Sequence, residues 1–191
     1  MGLIVPEKHG GLGLGILDLA LVLEELGRVA APGPFLGTQL VAAALLAAGT
    51  PAQKARWLPK LVAGETLGAL AYLEERDRHY PAGVTLKARS ARGGYRLDGT
   101  KLFVPGVPGA DLLVVAARTQ AGAGPRGVSL FLVETAAPGV RVKPLETIDL
   151  TRRIGEVEFR GAAVARDAVV AKPGDGWPLL ARLLDLAAVG I

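Results

Sequence analysis

The chain has 191 residues, half of them hydrophobic but only 5% aromatic, so any core is built mainly from Leu, Val and Ala, and general disorder is excluded. It has no cysteine, which removes disulfides, Cys-ligated zinc, iron–sulfur clusters and a thiol nucleophile, and fits a cytoplasmic protein. The net charge is +4, but basic residues alternate with acids, as in EERDRH from Glu74 to His79, which argues against nucleic acid as a partner.

The opening apolar stretch is interrupted at Glu7, Lys8 and His9, too early for a signal peptide. VPEKHGGLGLG follows from Val5 to Gly15 and raises the question of a phosphate-binding loop. A dinucleotide loop needs G-x-G-x-x-G between a strand and a helix. From Gly11 and Gly13 the third position is Ile16; from Gly13 and Gly15 it is Asp18, whose charge repels a pyrophosphate. These glycines instead predict a sharp turn with close backbone packing.

Leu19, Val22, Leu23 and Leu26 recur at helical spacing, with Asp18 as a candidate cap and Gly27 near the end. After the prolines of APGPFLG, a second helix is expected over Thr38–Ala48, stopped by Gly49. Leu40–Ala48 within it is the longest strongly apolar run, well short of the ~20 residues of a membrane span. Thr50, Pro51 and Gln53 form a capping-box pattern for a third helix, with Trp57, Leu58, Leu61 and Val62 inward and Gly64 beyond its end.

From about Gly68 the period becomes alternating. GVTLKARS, YRLDGTKLFV, ADLLVVAAR, VSLFLVE, GVRVKPL and GEVEFRG read as strands, and Asp98-Gly99 suggests a turn between two pieces. The pattern is helical again from Trp177. The fold class is α+β: an amino-terminal helical domain over residues 1–67, an antiparallel β-barrel or sandwich over 68–172, and the start of a further helix over 173–191. His9 and His79 have no ligand-spaced partners, so no metal site is expected.

Four stretches, taken in order, carry a resemblance. VPEKHGGLGLG leading into LALVLEELGR resembles the PEEYGG turn and helix of acyl-CoA dehydrogenases. QKARWLPKLVAGE, YRLDGTKLFV and DLTRRIGEVEF are similar to later stretches of the same family. The resemblance implies a helical domain, a middle barrel and a carboxy-terminal bundle. It implies FAD between barrel and bundle, an acyl-CoA thioester as substrate, and an oligomer of one or two kinds of subunit. The implied reaction is α,β-dehydrogenation: a carboxylate takes the α-proton as a hydride leaves the β-carbon. Polarisation of the thioester carbonyl and a dry site make that proton removable.

Carried over residue by residue, the family's flavin-facing strands fall on Leu70, Tyr72, Leu73, Phe103, Val104 and Pro105. Leu73 stands where the family has Thr, and Pro105 where it has Thr or Ser, so two hydroxyl donors are lost. For Leu70, Tyr72, Leu73, Phe103 and Val104, ordinary barrel packing is at least as good a reading as contact with a flavin. The family's catalytic Glu lies in the bundle, and no residue from Met1 to Ile191 matches it, so no catalytic residue is assigned. Glu74 and Glu75 are tempting substitutes, but a charged strand end paired with Arg76 or Arg78 is the preferred reading. Arg152 and Arg153 suit a surface or interface as well as an anionic ligand. The leading expectation is an incomplete FAD-linked acyl-CoA dehydrogenase chain. The alternative is a non-catalytic structural subunit of a heteromeric one, with a free-standing binding module behind both. As the beginning of a missing bundle, Trp177–Ile191 is expected to leave its apolar face without a partner.

Overall fold

In a computed structural model of the chain, residues 1–76 and 78–190 are described. Three helices lead: α1 (Ile16–Arg28), α2 (Phe35–Ala48) and α3 (Pro51–Ala63). The glycine stretch before α1 is a backbone knot. Gly10 is left-handed at φ 85° and closes a 3-10 turn over Glu7–His9. Gly11 presses so closely on Val5 that a Cβ would lie 2.0 Å from the Val5 carbonyl oxygen. The turn-and-packing reading of these glycines is therefore the structural one.

Two helix starts differ from expectation. Asp18 does not head α1; it sits at the third helical position and its carboxylate accepts the Gly15 N–H at 2.9 Å, leaving Gly15 as the cap. α2 begins at Phe35, so Thr38 lies inside it, buried, where its hydroxyl accepts the Gly68 N–H at 3.1 Å. The α3 start follows the sequence: the Thr50 hydroxyl accepts the Gln53 N–H at 3.2 Å, and the Gln53 side chain accepts the Thr50 N–H at 2.8 Å.

Eight strands follow: β1 (Gly68–Ala71), β2 (Lys87–Ala91), β3 (Gly94–Pro105), β4 (Leu112–Arg118), β5 (Val128–Glu134), β6 (Val140–Pro144), β7 (Ile154–Ala165) and β8 (Val169–Val170). They form one mostly antiparallel sheet in the order β6-β7-β3-β2-β4-β5-β8, with β1 lying parallel to β4. Asp98-Gly99 is not a turn; both residues lie within the continuous β3. Opposite them β7 carries an extra residue, Gly161, left-handed at φ 59°, whose N–H is accepted by the Asp98 carboxylate at 2.8 Å. The real hairpin turn is Arg92-Gly93, between the paired Ala91 and Gly94, with Gly93 at φ 84°.

The sheet separates two cores. Leu112, Val114 and Ala116 of β4 and Val128, Leu130 and Leu132 of β5 pack against the helices. Their alternates Leu113, Val115, Ala117, Phe131 and Val133 line the interior round which the sheet curls. Both faces of β4 and β5 are thus buried, which explains the apolar runs Leu112–Ala117 and Leu130–Val133.

The last helix, α4 (Trp177–Val189), buries Leu179, Leu180 and Leu183 in the helical core, and α2 packs along it. A Cβ on Gly190 would meet Leu23 of α1 and Leu36 of α2 at 2.8 and 2.9 Å. The expectation of a face without a partner is therefore corrected: α2 supplies one. Ile191 lies outside the described residues.

Candidate functional site

The site is built where the chain changes neighbours. β1 runs beside β4 as far as Ala71. It then swerves to β3, where the Leu73 carbonyl accepts the Leu102 N–H at 2.9 Å. Just beyond Leu102, β3 gains one residue relative to β7 between Lys101 and Val104. This bulge turns Phe103 outward in a left-handed conformation at φ 51°, 53% exposed, while Val104 returns to the interior. A bulky non-glycine residue held there stores strain, of order 1–3 kcal/mol, that the surrounding sheet must impose.

The six flavin-facing positions expected from the sequence divide accordingly. Phe103 and Pro105 are exposed and Tyr72 is half-buried. Leu73 is just buried at 9%. Leu70 points into the helical core and Val104 into the sheet interior, so these two stand behind the wall. The Tyr72 hydroxyl lies 2.9 Å from Nδ1 of His79, whose ring is tilted against its own. The Leu73 N–H has no backbone or side-chain acceptor among the described residues.

Behind this wall lies a pair that sequence reasoning missed. Glu74 is not partnered by Arg76 or Arg78. Its carboxylate accepts a 2.6 Å bond from Nζ of Lys101, a wholly buried lysine of β3. Lys101 also donates to the Tyr72 carbonyl at 2.9 Å. The same carboxylate accepts the Thr85 and Leu86 N–H groups at 2.9 and 3.0 Å and the Thr85 hydroxyl. Burial by itself would raise the Glu74 carboxyl, but the Lys101 ammonium and these hydrogen bonds hold it below its usual range. Burial pulls Lys101 down to about 8, against the opposing attraction of Glu74. The alternation of YRLDGTKLFV places Lys101 on the inward face with Leu97, which was the available signal.

The clamped Thr85 also borders an open cleft of about 610 Å³. Val84, Lys87, Arg89, Arg118 and Thr119 line it too, giving a cationic rim over an apolar floor. Arg118 serves the walls, donating to the carbonyls of Val84 and Pro81 at 2.8 and 2.6 Å. Arg152 and Arg153 are exposed, in the turn before β7. Among the described residues no cluster suits a metal, and no helix is long and apolar enough to cross a membrane.

Comparison with known proteins decides the family. The acyl-CoA dehydrogenase N-terminal domain model matches residues 1–65 and the middle domain model matches residues 69–162. The chain belongs to the acyl-CoA dehydrogenase family. Mitochondrial isovaleryl-CoA dehydrogenase of Oryza sativa subsp. japonica is 33% identical over 192 residues, covering 97% of this chain and 46% of the relative. Among solved structures, the glutaryl-CoA complex of glutaryl-coenzyme A dehydrogenase superposes with a TM-score of 0.91 at 29% identity, covering 99% of this chain and 51% of that one. The FAD complex of PigA does so with a TM-score of 0.86 at 26% identity, over 97% and 52%. The chain spans about half the length of the curated relatives it matches.

Proposed function

We propose that this chain supplies the helical and barrel portions of an FAD-dependent acyl-CoA dehydrogenase acting on the Cα–Cβ bond of an acyl-CoA thioester. The observation that carries the reading is the outward Phe103, held left-handed on a β-bulge beside Leu73. A packed core has no use for an aromatic ring turned to solvent on a strained backbone.

The residues present fit an isoalloxazine ring. Phe103 offers an apolar face, Leu73 is tied to the adjoining Leu102, and the Leu73 N–H is an uncommitted donor beside it. Bound FAD supplies the hydride acceptor of the family's reaction. The chain's own residues exclude water from one side of the ring and fix its edge, while the cationic cleft beside Thr85 suits the phosphates of a coenzyme A thioester. Leu70 and Val104 hold the wall from behind. The division at 67/68 and 172/173, a cytoplasmic setting, and assembly with like or unlike subunits belong to the same proposal.

Leu73 and Pro105 favour a second reading, a structural subunit with weakened flavin contacts. Neither side chain can donate, and proline also lacks an N–H. Purified protein separates the two. Flavin absorbance close to one FAD per chain supports the first reading; colourless protein that takes up no added FAD supports the second.

A further inference from the structure

The ion pair behind the wall has a use beyond holding the sheet together. Lys101 Nζ donates to the Tyr72 carbonyl, and that oxygen belongs to the same peptide group as the uncommitted Leu73 N–H. A hydrogen bond from an ammonium to a peptide oxygen draws charge through the amide and makes its N–H a stronger donor. Glu74 keeps the ammonium in place and, through Thr85 and Leu86, anchors the segment bordering the cleft. The Leu102 N–H bond to Leu73 ties the same stretch to β3 from the other side.

We propose that Lys101 and Glu74 are positioning residues for the ring-facing stretch: the buried pair locks Tyr72–Leu73 beside Phe103 and strengthens the Leu73 N–H as a donor to an electron-rich ring edge. This rests on the flavin reading above, yet part of it can be tested without flavin. Losing the pair loosens the stretch whether or not a ring lies on it.

The test uses the full chain as wild type, as Lys101→Met, and as the double variant Lys101→Met/Glu74→Gln, which leaves no lone buried charge. Lys172→Met, an exposed lysine between β8 and α4, is the control. Hydrogen exchange at residues 72–74 without FAD is expected to quicken in both Lys101 variants and to stay unchanged in the control. FAD titration is expected to show roughly tenfold weaker binding in the folded double variant, the scale of one lost charge-assisted hydrogen bond. The bound flavin's visible bands should shift, which a stabilising role alone would not produce. A folded double variant with wild-type exchange at residues 72–74 overturns the clamp. A folded double variant that binds FAD with wild-type affinity and spectrum overturns the donor role. A wild-type chain that binds no FAD defeats the flavin reading and with it the donor role, leaving exchange to decide the clamp.

Discussion

Gln53 on α3 donates its side-chain amide to the carbonyl of Val169 at 3.0 Å, tying the helical layer to β8 across more than a hundred residues of sequence. The same nitrogen reaches the Asp167 carbonyl at 2.6 Å, while the amide oxygen completes the capping box. One buried side chain thus closes a local helix start and a long-range join. Gln53→Ala should lose both, at a cost of about 2–3 kcal/mol, whereas Thr50→Ala should lose only part of the cap, about 1 kcal/mol. Urea denaturation followed by circular dichroism measures the two. Equal losses would mean that the bonds to Asp167 and Val169 contribute nothing.

The glycine knot offers a second comparison. A methyl on Gly11 would collide with the Val5 carbonyl, a backbone atom that cannot swing aside, whereas Gly109 has nothing within 4 Å. Gly11→Ala should destabilise by at least about 2 kcal/mol and Gly109→Ala by less than about 0.5 kcal/mol. Thermal melting reads both. Neither change should alter affinity for a free nucleoside diphosphate, because these glycines pack the chain rather than cradle a phosphate.

Legibility followed the range of the forces involved. The Thr50-Pro51-Gln53 start is a contract among four adjacent residues, so it was readable without knowing the fold. The apolar runs Leu112–Ala117 of β4 and Leu130–Val133 of β5 are readable as strands, but only the packed structure explains their lack of alternation, with a core on each face. Asp98-Gly99 misled because its chemistry suits a turn. The Asp98 carboxylate instead serves Gly161 on the neighbouring strand, sixty-three residues away. The site was legible only in part for the same reason. The resemblance pointed to Phe103 and Leu73, but the pairing of Glu74 with Lys101 spans twenty-seven residues, and local pattern favoured the nearby Arg76 and Arg78.

The buried pair sets an unusual pH dependence. In the folded chain Lys101 releases its proton at about 8, whereas its ordinary value is 10.5. Between those values the unfolded state binds more protons, so this residue's contribution to stability rises with pH, and below 8 its burial cost stands in full. Glu74 acts at the acid end. Its carboxyl is held below the ordinary 4.5, so the stability it contributes is present above that value and is lost as pH falls through its folded value. Lys101→Met should flatten the alkaline rise and cost about 3–5 kcal/mol by stranding Glu74; the double variant with Glu74→Gln should recover much of that loss. Denaturation midpoints from pH 4 to about 10.5 supply the curve. An alkaline slope unchanged in Lys101→Met would show that another group titrates there.

Restoring the two missing hydroxyls tests where the wall faces. Pro105 is exposed at the end of β3 opposite Ile154, and Leu73 lies at the margin of burial, so a threonine at either place would put its hydroxyl at the surface beside Phe103. One new hydrogen bond to a bound ring is worth about 1 kcal/mol, or roughly fivefold in affinity. Pro105→Thr is expected to tighten FAD binding by about that factor, and it also restores a backbone N–H to the strand end. Leu73→Thr gains the same bond but exchanges apolar packing for a hydroxyl, so its melting temperature should fall while its affinity rises. Fluorescence quenching of FAD titrated with each variant gives the affinities. Pro105→Thr and Leu73→Thr proteins that are folded yet bind FAD as the parent does would place the ring elsewhere on this sheet.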